Sequence, residues 1–538
     1  MFRGESSGWI PPGLVGNGMF LRIAAVVGFF GRSREICGPD AAGCRAEVAR
    51  AWDILQEAAE RHQDRTAACR FTTFHAWEYS AAPRRSKVHR NVILRNEIVP
   101  ELPISWIDEP DAAGLWRKLD ERCNATQTGC EAIAIPHNPN LSNGQLFVPE
   151  RSGDFAMDAA QAALRARLEP LVEIVQAKGE SECRSGIPGI IGTDESCDLD
   201  KVRFIDGEPP EDCGDGTGGG ALMSSGCQSR FDFARYVVLE GLREEARLGT
   251  NPYRLGFIGG TDTHNGTPGA TDERSYAGHN GLVDATLAQR LDWEVGGYVP
   301  APLRSPGGLV GIWAEENSRD ALFDAMKRRE TFATSGTRIV PRLFGGWALP
   351  ADFCSRADGV AAADAAGVPM GGILRSGPET RVGPTFAVSA RRDPDPAAGD
   401  LQRIQIVKGW VDDAGRLHQQ VEDVAGFPPG RAGVDRESCA RTGSGAPMLC
   451  GVWRDPAYDP ARPAVYYARI LENPSCRWTA AQCAALPPRE RPAGCADDSI
   501  PWRTQERAWT SAIWVPAAPG STGAGSAAPS APSPAPRG

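Results

Sequence analysis

Acidic and histidine side chains suited to metal binding recur in the first half of the chain. The most specific stretch is GFIGGTDTHNGTPG, residues 256–269, in which Asp262 and His264 stand two residues apart after a short apolar run. Side chains two apart in an extended segment lie on the same side, so one strand end can present both as ligands. The alternative is a glycine-rich turn in which Asp262 caps the backbone and His264 packs against its neighbours.

Further candidate ligands lie in or beside apolar segments of strand character. Glu78 is in CRFTTFHAWEYS, His89 begins HRNVILRN, and His137 follows the strand of EAIAIPHNPN. Imidazole and carboxylate suit zinc, manganese and iron, and a carboxylate can bridge two ions. His89 is alternatively an ordinary surface or core residue. Glu173, in LEPLVEIVQAKG, is expected to contact the ligands rather than the metal; alternatively, it pairs with a structural arginine or lysine. The other histidines have no second ligand type at useful spacing and are expected to be structural: His62, His75, His279 and His418.

Such a cluster would lower the pKa of a bound water and hold it for attack on an ester. We therefore expect Glu78, His89, His137, Asp262 and His264 to bind divalent metal ions. Asp262, His264 and Glu78 are the residues expected to act in catalysis.

Composition restricts the partners and the compartment. The chain has 538 residues and a net charge of -10 without a Lys/Arg block, which favours a small soluble substrate over nucleic acid or an anionic membrane. No apolar run approaches the roughly 20 residues that span a bilayer. Fifteen cysteines without a CxxC pair indicate disulfides in an exported protein rather than a structural zinc site. We expect a periplasmic or secreted protein, although residues 19–30 make only a weak export signal.

The cysteine pairing is open, and the odd total leaves at least one thiol over. Short loops could be closed by Cys123 with Cys130, by Cys439 with Cys450, or within the segment from Cys183 to Cys227.

Apolar periodicity predicts helices alternating with strands up to about residue 340. Residues 43–63 have the spacing of an amphipathic helix, and MDAAQAALRARL and RFDFARYVVLEGLREEARL are also helical in character. This alternation predicts a parallel sheet, closed as a barrel or open, with the working residues at the C-terminal ends of strands. Residues 178–230, rich in glycine and cysteine, are interpreted as a stapled insertion or lid.

The pattern changes in the remainder of the chain. Residues 341–516 are strand-like and predict a smaller β-sandwich domain, and residues 517–538 are too rich in Pro, Gly, Ala and Ser to form a core and are expected to be disordered.

Taken together, TFHAWEYS, HRNVIL, PHNPNLSNG, LVEIVQAKGESEC, GGTDTHNGTPG and GIWAEENSRDALFDAMKRRETFATSGTRI closely resemble a bacterial family catalogued as domain of unknown function 3604. That family looks like a branch of the PHP (polymerase and histidinol phosphatase) superfamily. The resemblance implies a distorted seven-stranded β/α barrel over residues 35–340, two or three metal ions, and phosphoesterase activity. By motif, Glu78 resembles the bridging carboxylate, His89 the ligand on the next strand, and His137 the ligand after the middle strand. Asp262 and His264 resemble the closing pair.

One departure from the superfamily affects the expected activity. PHP proteins begin with a strand carrying an H-x-H pair, which this chain lacks, and residues 1–34 are atypical. We therefore expect a barrel that is incomplete at its N-terminus, and slow ester hydrolysis by this chain. A misplaced start, a shortened gene and a degenerate copy would each explain it. Two other functions stay open: a non-catalytic homologue, or an extracellular binding protein that recognises a polymer through Trp410, Trp509 and Trp514. The sequence identifies neither the substrate nor the native metal.

Overall fold

The computed structural model describes residues 37–518 apart from 39, 152–154, 205–206, 215 and 376–381. The atypical segment 1–34, the weak export signal and all but two residues of the predicted tail lie outside this part of the chain. None of the helices in the described part is long and apolar enough to cross a membrane. The helices are α1 Ala42–His62, α2 Ala112–Leu119, α3 Ala159–Leu168, α4 Ala234–Leu248, α5 Leu287–Arg290, α6 Arg319–Arg328, α7 Gly359–Ala366 and α8 Trp478–Ala484.

The strands are more numerous than the helices, and most are short. They are β1 Ala76–Ala81, β2 Val88–Leu94, β3 Ala132–Pro136, β4 Glu150–Arg151, β5 Phe155–Ala156, β6 Leu171–Gln176, β7 Gly179–Glu180, β8 Ile190–Ile191, β9 Gly256–Gly259, β10 Leu309–Ile312, β11 Thr331–Thr334, β12 Val340–Gly346, β13 Val368–Pro369, β14 Thr385–Arg391, β15 Leu401–Val411, β16 Leu417–Gly426, β17 Ala432–Val434, β18 Arg441–Gly443, β19 Met448–Arg454, β20 Ala464–Glu472, β21 Ser475–Cys476, β22 Arg503–Thr504, β23 Arg507–Thr510 and β24 Ile513–Val515.

The predicted β/α barrel is wrong. The described strands form several separate sheets, none of them closed, and parallel pairing between named strands is confined to β6 with β9 and β8 with β16. β1, β2 and β3 instead form an antiparallel sheet. The connection from β1 to β2, residues 82–87, is too short for the crossover of a dozen or more residues that parallel neighbours require. The two strands therefore pair as a hairpin.

The predicted separate β-sandwich is also wrong. The largest sheet has eight strands in the order β10-β11-β23-β20-β15-β16-β8, with β24 paired to β20. It therefore combines strands from both sides of residue 340. A four-stranded sheet, β13-β12-β14-β19, contains the other long strands of the C-terminal part. The strand character of these segments is confirmed, whereas the domain boundaries stay predictions.

The sequence pattern predicts where the helices lie better than it predicts which of their residues are buried. α1 confirms the helix predicted at residues 43–63, yet its buried residues are only Trp52 and Ala59, and Ile54 and Leu55 are about half exposed. α6 begins after Ser318, whose hydroxyl accepts from the backbone N–H of Ala321 and so caps the helix.

Seven disulfides join fourteen of the fifteen cysteines, which indicates an oxidising environment. Cys123 and Cys130 pair as predicted, and two disulfides lie within residues 183–227. The predicted pairing of Cys439 with Cys450 is wrong, because these residues bind Cys476 and Cys354. Cys69 is the free thiol.

A buried ionic network joins the insertion to the largest sheet. Arg469 of β20 donates to Asp194 at 2.8 and 2.9 Å and to Glu182 at 3.2 Å. Trp509 of β23 also donates to Glu182, at 2.6 Å. Arg235 of α4 pairs with the same two carboxylates, and all four charged side chains are almost completely buried. Residues 182–194 are therefore anchored to the sheet by charges that water does not screen.

Candidate metal centre

Three of the predicted ligands lie on one face of the β1-β2-β3 sheet. Ser80 pairs with His89 across β1 and β2, so Glu78, two residues before Ser80, is a diagonal neighbour of His89 on the same face. Arg90 pairs with Pro136, which places His137 opposite His89, and the backbone N–H of His137 donates to the carbonyl of His89 at 3.3 Å. The sheet register therefore brings together residues that are 59 positions apart in the chain, Glu78 and His137.

The ligand atoms of these three residues lie within 4.8 Å of one another. Nδ1 of His89 is in close contact with Oε1 of Glu78, and Nε2 of His137 lies 3.6 Å from the same oxygen. Burial alone would raise the pKa of Glu78, but the two imidazoles outweigh burial and hold that pKa well below its ordinary value. Burial lowers the pKa of His89 to about 4 although Glu78 opposes this shift. The cluster thus places the carboxylate of Glu78 beside two imidazole rings.

The surroundings of the His137 ring show most directly whether the cluster fits a metal ion. Its side chain is 3% exposed, and both ring nitrogens are buried without a hydrogen-bond partner among the described residues. Buried polar atoms are normally paired, because an unpaired one loses its hydration without compensation. A divalent ion coordinated by one of these nitrogens and by Glu78 would remove part of that cost, so this donor set fits zinc, manganese or iron.

Asp262 and His264 lie beyond the end of β9 and not in an extended segment. Asp262 has a φ of 46°, in the left-handed region that non-glycine residues rarely adopt. Its Oδ1 nevertheless lies 3.4 Å from Nε2 of His264. The pair is brought together by a turn rather than by strand alternation. A non-glycine residue in this region carries a backbone strain of the kind that active sites often contain.

Two buried lysines bind the carboxylate of Asp262. Its Oδ2 lies 3.0 Å from Nζ of Lys87 and 2.6 Å from Nζ of Lys178, and it also accepts from Nε2 of Gln176 at 2.6 Å. Burial opposes ionisation of Asp262, but the lysines outweigh burial and hold its pKa well below the ordinary value. Burial, together with the nearby Lys87, lowers the pKa of Lys178 to about 7.

The ligand cluster and the Asp262 group are neighbours. Burial would lower the pKa of Lys87, but Asp262, Tyr298 and Glu78 act together to raise it. Glu173 of β6 accepts from the backbone N–H of Asn138 at 3.2 Å, next to His137. Burial raises the pKa of Glu173. Glu173 therefore contacts the backbone next to His137, and its role behind the ligands stays a prediction; no arginine or lysine donates a hydrogen bond to it among the described residues.

Sequence reasoning missed Lys87, Gln176, Lys178 and His279. The ring of His279 lies 4.4 Å from that of His264, and Nε2 of His279 is 3.3 Å from Nζ of Lys178. The one available signal was Lys87, which stands two residues before His89 and so on the same side of that strand. The other predicted structural histidines lie elsewhere: His75 pairs with Glu60, His418 stacks on Trp410, and His62 is exposed.

The profile of a family described as "Protein of unknown function (DUF3604)" matches residues 30–517. The match covers most of the chain, and the protein therefore belongs to this family. Comparison with curated proteins and with solved structures gave no match. A place for the family within the PHP superfamily receives no support from these comparisons.

Proposed function

We propose that this protein is a metal-dependent hydrolase that cleaves a small phosphoester, acting in the periplasm or outside the cell. The observation that carries the proposal is the Glu78, His89 and His137 cluster, in which both buried ring nitrogens of His137 have no hydrogen-bond partner among the described residues. The motif resemblance to PHP phosphoesterases favours a phosphoester, although the fold differs from the PHP barrel.

When bound at this cluster, a divalent cation supplies Lewis-acid activation of water and stabilises negative charge on the ester. The chain's own residues hold and surround the reacting groups. Glu78 contributes the negative charge of the cluster, and His89 and His137 contribute nitrogen lone pairs. Glu173 helps to position His137, because its carboxylate accepts from the backbone N–H of Asn138, the next residue in the chain.

Proton transfer is assigned to His264. Its side chain is 54% exposed, and its Nε2 faces Oδ1 of Asp262 at 3.4 Å. A carboxylate close to one nitrogen of an imidazole orients the ring. The exposed ring can then exchange a proton with water or donate one to a departing alkoxide. Lys87 and Lys178 in turn fix the carboxylate of Asp262.

The test is hydrolysis of p-nitrophenyl phosphate by protein treated with a chelator and then reloaded with Zn²⁺ or Mn²⁺. We expect activity only in the reloaded protein, and a loss of at least 100-fold in Glu78→Ala and His137→Ala, because ligand loss should cost more than the 10- to 100-fold typical of outer-sphere changes. His62→Ala, which changes an exposed histidine at the end of α1, is the control and should keep full activity. Equal activity in His137→Ala and wild type would refute the proposed site.

A second candidate function is polymer binding, which a separate pocket favours. Trp509 and Trp514 are buried core residues, so they cannot form an exposed platform. Trp410 is only partly buried and lines a cavity of about 210 Å³ together with Tyr458 and Tyr466. One face of Trp410 is stacked on His418, so a sugar ring would pack against the other face. Binding would support this function if polysaccharide in a native gel retards the wild type but not Trp410→Ala. Equal retardation of the two proteins, or none of either, would exclude Trp410 as the binding residue.

A further inference from the structure

We propose that the ammonium groups of Lys87 and Lys178 take the place of a second metal cation, so that the centre holds one divalent ion and binds the anionic oxygens of the ester with two lysines. This inference rests on the proposed function, because it assigns the parts of the same site. It departs from the expectation of two or three ions bound by Glu78, His89, His137, Asp262 and His264.

The first step concerns the coordination of Asp262. Its Oδ2 already accepts from Lys87 at 3.0 Å and from Gln176 at 2.6 Å, and it forms an ion pair with Nζ of Lys178 at 2.6 Å. A carboxylate oxygen offers about two lone pairs, so these contacts leave none for a metal ion. Its Oδ1 faces His264, and these two atoms alone fall short of the three ligands that a protein metal site commonly provides. Among the described residues, the metal-competent cluster that contains histidine is Glu78, His89 and His137.

The second step concerns charge. Lys87 and Lys178 are 3% and 1% exposed, so neither ammonium can turn out into water to make room for an ion. Nζ of Lys87 also donates to Oδ1 of Asn138 at 3.0 Å, and Nζ of Lys178 lies 3.4 Å from the carbonyl of Asp262. A second divalent cation at Asp262 would lie a few ångströms from the ammonium of Lys87, and beside Nζ of Lys178, in a poorly screened interior. Repulsion therefore opposes a second ion at this place.

The third step concerns the ligand that the lysines would bind. An ammonium has three donors, and those of Lys87 that have acceptors among the described residues go to Asp262 and Asn138. One donor of Lys87 is left for a bound group, whereas Nζ of Lys178 already contacts Oδ2 and the carbonyl oxygen of Asp262 and Nε2 of His279, so Lys178 would act on that group through its charge. Lysines and a metal ion together commonly hold the oxygens of a phosphoryl group.

The experiment measures metal stoichiometry and phosphate binding separately. Chelator-treated full-length protein is titrated with Zn²⁺ by calorimetry, and the metal content of the reloaded protein is measured by mass spectrometry. We expect one ion per chain in wild type and still one in Asp262→Asn, because that carboxylate does not bind the ion. Two or more ions per wild-type chain would overturn the inference without any variant having to fold.

Phosphate binding tests the lysines directly. Inorganic phosphate is titrated into the Zn²⁺-loaded protein, and we expect its affinity to fall at least tenfold in Lys87→Met and in Lys178→Met while one ion remains bound. Lys408→Met is the matched control, because Lys408 is also buried and ion-paired, with Asp455 at 2.6 Å, and should keep wild-type phosphate affinity. Unchanged affinity in both site variants would overturn the inference.

The two proposals fail in different ways. Absence of any bound Zn²⁺ would overturn both of them. One bound ion and lysine-dependent phosphate binding without hydrolysis would refute the proposed activity and would still support one ion with two lysines.

Discussion

Replacing His137 by alanine should abolish stabilisation of the protein by metal ions. The imidazole is buried and both its nitrogens have no hydrogen-bond partner among the described residues, so the polar side-chain contact that the substitution removes there is the 3.6 Å ion pair of Nε2 with Oε1 of Glu78. It removes one of three ligands, and the remaining Glu78 and His89 hold an ion less firmly. The variant therefore separates the binding of metal from other contributions of the side chain to folding.

The expected size follows from binding linkage. At an ion concentration about 100 times the dissociation constant, binding raises the free energy of unfolding by about 2.7 kcal/mol. Outer-sphere changes alone weaken metal sites by about 10- to 100-fold, so loss of a direct ligand should cost at least about 100-fold. The same ion concentration then equals the dissociation constant of the variant, and the stabilisation falls to about 0.4 kcal/mol.

The assay is urea unfolding of the oxidised protein, with and without Zn²⁺, for wild type, His137→Ala and His75→Ala. His75 is a matched control, because it is equally buried but pairs with Glu60 at 2.6 Å away from the cluster. We expect the shift caused by Zn²⁺ in wild type and His75→Ala, and almost none in His137→Ala. Equal shifts in all three proteins would show that His137 is not a ligand.

Three further predictions concern the rest of the molecule. Alkylation of unreduced, unfolded protein should label one thiol, Cys69, whereas reduction first should expose all fifteen; more than one label would contradict the seven disulfides. Burial and the nearby Glu506 raise the pKa of Glu472 to about 8, so the folded state holds a proton that the unfolded state releases above about pH 4.5. The free energy of unfolding should therefore fall as pH rises from about 4.5 to about 8, by up to about 1.4 kcal/mol per pH unit. Glu472→Gln should flatten this dependence in urea unfolding series, and an unchanged slope would exclude Glu472 as its source. Arg469→Met should lower the free energy of unfolding by about 3–5 kcal/mol, because it leaves two buried carboxylates with less compensation. The exposed ion pairs of Arg462 should make Arg462→Met cost less than about 1 kcal/mol, and similar losses in both variants would contradict the role of burial.

Local sequence pattern was sufficient for most individual elements. The periodicity of residues 43–63 and of RFDFARYVVLEGLREEARL predicted α1 and α4, and the alternation in LQRIQIVKGWV and AVYYARILE predicted β15 and β20. These patterns report which residues of one segment share a face, and that is a property of neighbours in sequence. The ligand types were found in the same way, since a histidine or a carboxylate at a strand is visible without the fold.

The direction and partner of each strand depended on the tertiary structure. Alternating strands and helices suggested a parallel barrel, but the short connection after β1 produced a hairpin, and the register of that hairpin set Glu78 beside His89. Likewise, Lys178 joins Asp262 through the chain path around β6 and β9, although 84 residues separate them. Hydrophobic pattern specifies how much of a segment is buried, whereas ion pairs and ligand sets depend on which distant segment is buried against it. The sequence by itself therefore determined the donors available to this centre, and only the packed chain decided that two lysines bind Asp262.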